Sequence, residues 1–107
     1  MQLIEIHWTT SSIDEARRVS RYLVQEKLVA CSQIIPWIES VFIWNDQLDT
    51  AQESKVVFKT LTTHFEAIKK IILENTQYEV PEITSFIIDE VNAPYKEWLL
   101  DTICQTS

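Results

Sequence analysis

The run Ala30-Cys31-Ser32-Gln33-Ile34-Ile35-Pro36-Trp37-Ile38-Glu39-Ser40-Val41-Phe42-Ile43-Trp44, then Asn45-Asp46, then a return through Glu53-Ser54-Lys55-Val56-Val57-Phe58-Lys59-Thr60-Leu61, decides the fold. β-branched and aromatic residues crowd both arms, the composition a pleated surface favours. Asn and Asp are the non-glycine residues that best tolerate positive φ, so Asn45-Asp46 reads as a tight turn between two long antiparallel strands. A continuous first arm runs about 45 Å at roughly 3.3 Å per residue, whereas a domain of this size is about 34 Å across. The hairpin is therefore expected to overhang its own domain, unless Pro36 breaks it into shorter strands.

The outgoing arm is apolar at even positions (Ile34, Ile38, Phe42, Trp44) and at odd ones (Ile35, Trp37, Val41, Ile43). A sheet with one wet side would alternate cleanly. A short chain has few elements with which to cover two faces, so part of the cover is expected from another copy. Trp44, at the hairpin tip, asks for a partner on the same grounds.

The 107 residues carry a net charge of −7 and no glycine. The length fits one domain, residues 1–107, able to bury a core without metal or disulfide staples. Without glycine there is neither a dinucleotide fingerprint nor a Walker loop. The acidic balance argues against nucleic acid as a partner. No segment is long and apolar enough to span a bilayer and no signal peptide opens the chain, so a cytoplasmic protein with reduced thiols at Cys31 and Cys104 is expected.

In chain order, Gln2 to Thr9 alternates as a half-buried strand. Ser12 with Glu15 is a capping box opening a helix whose buried stripe is Ala16, Val19, Leu23 and Leu28, with Arg17, Arg18, Arg21 and Lys27 on the wet side. Thr63 with Glu66 is a second capping box, opening a helix that buries Phe65, Ile68, Ile71 and Ile72. Asn75 to Pro81 is a loop, and Ile83 to Asp89 a strand with Phe86, Ile87 and Ile88 as its core. Pro94 suits the first turn of a last helix burying Tyr95, Trp98, Leu99 and Ile103. The order βαββαβ plus a terminal helix is the α+β, ferredoxin-like plan.

Chemistry-bearing residues are sparse. Tyr78-Glu79-Val80-Pro81-Glu82 gathers two carboxylates and a phenol, either acid–base groups or solvated loop charges. Glu53 and Lys59 share a strand face if no bulge intervenes, as an intersubunit pair or as ordinary surface charges. Cys31 reads as a small hydrophobe, with no activating cation evident nearby in sequence. His7 and His64 lack metal-ligand spacing to each other or to a cysteine.

Leu28-Val29-Ala30-Cys31 followed by Pro36, Ser40-x-Phe42-x-Trp44, Glu53 through Lys59-Thr60, Tyr78-Glu79-Val80-Pro81-Glu82-Ile83 and Tyr95-x-x-Trp98-Leu99 together resemble the CutA divalent-cation tolerance family across nearly the whole chain. The resemblance implies a ferredoxin-like protomer in a tight homotrimer, similar in architecture to the PII signalling proteins. It implies a non-enzymatic role in tolerance of divalent metals, with Cu2+ as the candidate bound cation. It also implies an inter-subunit cleft lined by Cys31, Trp44, Glu53, Lys59, Tyr78, Glu82 and Trp98. Departures from the family pattern fall at Trp8, where a bacterial-type cysteine is usual, at Thr76-Gln77 in place of His-Pro, and at Asp46 in place of the turn glycine. The first two remove the softest candidate metal ligands.

Three other classes compete. A PII-like regulatory module binding a small anion in the cleft would have to use Lys59 with Arg17 or Arg21. An acylphosphatase-like hydrolase shares the fold plan, but Thr9-Thr10-Ser11-Ser12 offers neither the arginine nor the glycine of a phosphate cradle. An RNA-binding domain of this fold would need aromatic-basic motifs that are missing. The downstream protein partner is not legible.

Overall fold

The computed structural model describes residues 1–103, so Cys104 lies outside the described residues. The elements are β1 (Leu3–Thr10), α1 (Ile13–Gln25), β2 (Cys31–Trp44), β3 (Gln47–Leu61), α2 (Phe65–Asn75), β4 (Ile83–Ile87) and α3 (Ala93–Ile103). The strands form one sheet in the order β2-β3-β1-β4, antiparallel throughout, which is the ferredoxin-like arrangement.

One face of the sheet is buried beneath α1 and α2. Ile4, Ile6 and Trp8 of β1 and Val56 and Phe58 of β3 meet Ala16, Val19, Leu23, Ile68 and Ile72 in a single core. A second cluster, Leu3, Ala30, Leu61, Leu99 and Ile103, seats α3 at the end of the sheet. Along β3 the even residues from Ser54 to Thr60 are buried and the odd ones half-buried, so the opposite sheet face is left open.

The hairpin is as long as the sequence suggests. Asn45 and Asp46 both take positive φ, 52° and 63°, as a two-residue turn matched to strand twist requires. β1 accompanies β3 only from Leu61 to Ser54. Beyond Ser54 the hairpin continues as a free ribbon of about 24 Å, taking β3 residues at roughly 3.4 Å each. The molecule accordingly measures 48 × 27 × 22 Å. Trp37, Val41, Ile43, Trp44 and Leu48 are all exposed on the ribbon. An isolated two-stranded ribbon is marginally stable in water.

Pro36 does not end the strand; it bulges it. The register steps from Ile35↔Lys55 to Ile38↔Glu53, so β2 spends one more residue than β3. Buried Ser54 donates its hydroxyl to the Pro36 carbonyl at 2.9 Å and holds the bulge in place. The extra residue inverts the alternation. Cys31, Gln33 and Ile35 lie opposite Lys59, Val57 and Lys55, but past the bulge the even residues Ile38, Ser40, Phe42 and Trp44 lie opposite Glu53, Ala51, Asp49 and Gln47. Both sets occupy the open face.

Several sequence expectations change. Leu28 is not on α1, which ends at Gln25; it packs on the core from beyond a left-handed turn at Lys27, φ 59°. Leu28 N–H bonds to the Leu23 carbonyl and Lys27 N–H to the Val24 carbonyl, both at 3.0 Å, the Schellman pattern with lysine where glycine is usual. Ser12 caps α1 by accepting from Glu15 N–H at 3.1 Å, but the Glu15 carboxylate is held by the Thr10 hydroxyl at 2.7 Å rather than returning to Ser12. The Thr63–Glu66 box does not form. A 3-10 turn, Thr62–His64, precedes α2, and His64 occupies the cap position with no side-chain bond to the helix. Its Nδ1 lies 2.9 Å from the Leu28 carbonyl instead. β4 stops at Ile87, and Phe86 and Ile87 are exposed rather than core. Trp98, expected to pack inside, is 46% exposed.

Candidate functional site

The bulge and the overhang together build a groove of about 930 Å³ on the open face. Ile38, Phe42 and Trp44 of β2 form its apolar wall, turned there by the bulge, and Glu53 and Lys55 of β3 with Thr9 of β1 form its floor. Tyr78, Glu79, Val80 and Glu82 close it from the loop before β4.

Its polar groups are already ordered. Tyr78 donates its phenolic hydrogen to Glu53 Oε2 at 2.6 Å. Thr9 and Thr84 hydroxyls donate to the two oxygens of Glu82, at 2.8 and 3.1 Å. Burial pushes the Tyr78 phenol above its ordinary range, and the bond to Glu53 and that carboxylate's charge push it further in the same direction.

The seven cleft residues expected from the family resemblance split between two places on a single subunit. Trp44, Glu53, Tyr78 and Glu82 line the groove. Cys31, Lys59 and Trp98 gather at the α3 end of the same open face. Lys59 stands opposite Cys31 in the ladder, a cation beside the thiol that linear sequence does not reveal. The Cys31 thiol lies 3.7 Å from the Tyr95 hydroxyl, Lys59 Nζ sits 6.0 Å from the centroid of the Tyr95 ring, and Trp98 stacks on that ring at 5.7 Å. Glu53 and Lys59 do share a face, since the bulge is on β2, yet Lys59 pairs with Glu5 at 3.9 Å and with Gln33 at 3.3 Å. Burial, with the neighbouring Cys31 and Glu5, pushes the Tyr95 phenol up to about 12.

Sequence reasoning missed Thr9, Glu5 and Tyr95 as members of these groups. The alternation of β1 puts Glu5, His7 and Thr9 on one face, so the signal was present once the register was known. His7 lies 2.9 Å from Glu5 Oε1 and packs against Phe86. Arg17 and Arg21 line a groove on the outer side of α1, across the sheet from Lys59.

Among the described residues, no three His, Cys, Asp or Glu side chains converge as a metal-binding set. The groove offers hard carboxylate oxygens, those of Glu82 and one of Glu53 already accepting hydrogen bonds. Cu2+ prefers imidazole and softer donors, so the donor set of one subunit does not fit a tightly held copper ion.

The model of the CutA1 divalent ion tolerance protein family matches residues 4–102. The chain belongs to that family. The Divalent-cation tolerance protein CutA of Thermus thermophilus is 35% identical over 91 residues, covering 85% of this chain and 88% of its own. Its crystal structure superposes with a TM-score of 0.85 at 33% identity, covering 91% of this chain and 94% of that one. Rice CutA 1, named chloroplastic, is 32% identical over 96 residues, covering 90% of this chain and 54% of its own length. The crystal structure of CutA1 from Oryza sativa gives a TM-score of 0.91 at 29% identity, with 99% and 97% coverage. The chain spans about half the length of the chloroplast relatives it matches. The CutA of Archaeoglobus fulgidus, TM-score 0.88 at 27% identity over 94% and 98% of the two chains, is called periplasmic. These CutA names describe metal tolerance and no enzyme class, and they place relatives in different compartments. Among the described residues, no helix is long and apolar enough to cross a membrane.

Proposed function

We propose that this CutA-family chain is a non-enzymatic, cytoplasmic homotrimer of divalent-metal tolerance and copper response, meeting divalent cations weakly in a groove shared between subunits. The observation that carries the reading is the ribbon beyond Ser54, apolar on both faces and without cover of its own. Exposed Phe86 and Ile87 on the β4 edge extend the uncovered surface. Side chains of that size exposed together are an aggregation hazard unless a sister subunit buries them.

Within the trimer, Glu53 and Glu82 supply oxygen donors and need a second subunit to complete any cation shell. Weak, exchangeable binding is the behaviour expected of carboxylates engaged by neutral hydroxyls. A PII-like module taking a small anion is the second reading, supported by the solvent-facing arginines of α1 and by Lys59; these lie on opposite sides of one subunit's sheet and would meet only across a boundary.

Sedimentation equilibrium and calorimetric titration test both. A trimer, with saturable low-affinity uptake of Cu2+ or Zn2+ that weakens in Glu53→Gln, supports the first reading. Anion binding lost in Lys59→Ala supports the second. A stable monomer at micromolar concentration overturns the assembly and the shared groove with it.

A further inference from the structure

All three arginines of the chain, Arg17, Arg18 and Arg21, lie within five consecutive positions of α1. All three are exposed, and among the described residues none makes an ion pair or hydrogen bond. The chain carries 16 acidic residues against nine basic ones, so an unpaired basic patch is an uneven allocation of scarce positive charge. The patch lines an open surface groove of about 600 Å³ with Asp14, Tyr22 and Gln25. Arg17 and Arg21 also border a second groove, about 420 Å³, whose walls include Val24 and Ile34.

We propose that the outer face of α1 docks an acidic segment of a partner protein, carboxylates on the arginines and an apolar side chain in the Val24–Ile34 groove. Arginine binds carboxylates through a planar fork, and Arg and Tyr recur at the energetic centres of interfaces. The remainder of this acidic surface repels such a segment, so complementarity exists at this patch and fixes where it lands. A compact free phosphate fits less well, because the Asp14 carboxylate stands on the same wall and the groove is shallow and extended. The inference draws on the homotrimer reading for one point, that sister subunits cover the open sheet face and leave α1 outside. The patch then occurs once per subunit, and a partner with repeated acidic segments gains avidity.

The test is fluorescence anisotropy of a labelled, leucine-bearing Glu-rich peptide titrated with the assembled protein. Saturable binding that weakens with added salt, and weakens about tenfold in the Arg17→Ala/Arg21→Ala double variant, supports the docking site. The same affinity for a Gln-substituted peptide, or no effect of the double variant, overturns it. Displacement by inorganic phosphate at comparable concentration, or preferential capture on phosphatidylserine vesicles, overturns it in favour of a phosphate or a membrane. Because the arginines are exposed, Arg17→Glu serves as a second variant that keeps the fold and should abolish binding. Sedimentation of the same samples reads the trimer separately, so failure of the docking site and failure of the assembly are told apart.

Discussion

The phenol of Tyr78 is tied to the carboxylate of Glu53 at 2.6 Å, joining the loop before β4 to the root of the ribbon. This bond fixes the mouth of the groove, because both residues line it. Tyr78→Phe removes the donor and leaves the ring. We expect a loss of about 1 kcal/mol, at the low end for a bond to a charged group because the site is only half-buried. Chemical denaturation with an unchanged m-value checks it. Equal stability of variant and parent would show the bond to be incidental.

Tyr95 gives a pH signature. Its folded value of about 12 lies above the ordinary 10.0, so the protonated phenol favours the folded state. The associated stability is fully present below pH 10 and is lost as pH rises from 10 towards about 12. Absorbance titration should show one tyrosine ionising late, and Tyr95→Phe should abolish that step. Persistence of the late step in the variant would assign it elsewhere.

Lys27 holds a left-handed conformation that disfavours any residue with a Cβ. Lys27→Gly should stabilise the protein by about 1 kcal/mol, since glycine adopts this position without steric cost. Differential scanning calorimetry reads the gain as a higher melting temperature. A lower one would show that the lysine side chain contributes more than its backbone costs.

Trp8 is fully buried with its indole N–H unpartnered. Trp8→Phe removes an unsatisfied donor, a relief of about 1–3 kcal/mol, while opening a small cavity that offsets it. The net change should fall within about 1 kcal/mol, whereas Phe58→Ala in the same stack should cost about 3–5 kcal/mol. Comparable losses in the two variants would mean the indole nitrogen is satisfied in solution.

The sequence carried the element order and the turn, because alternation, helical spacing and residues tolerant of positive φ are local properties. Asn45-Asp46 and Ser12 were readable on those terms. The inversion of the ribbon's faces was not. Pro36 announces an irregularity, but whether a proline ends or bulges a strand depends on its partner, here on the Ser54 hydroxyl across the ladder. Thr63 failed as a cap for a related reason: chain entry through Thr62–His64 places His64 at that position. Phe86, Ile87 and Trp98 look like core in composition, yet apolarity says that a side chain will be covered without saying by whom. The candidate groove was legible only in part. Glu53, Tyr78 and Glu82 stood out, while Thr9 acquired meaning from the register.

The hairpin tip has a chemical lifetime as well as a shape. Asparagine followed by glycine ages quickly in water, because the next backbone nitrogen reaches back to attack the side-chain amide. At Asn45 that nitrogen belongs to Asp46, whose Cβ obstructs the ring closure. A glycine at Asp46 would relax the turn and hasten its deamidation, so the side chain at this position trades ease of folding for durability.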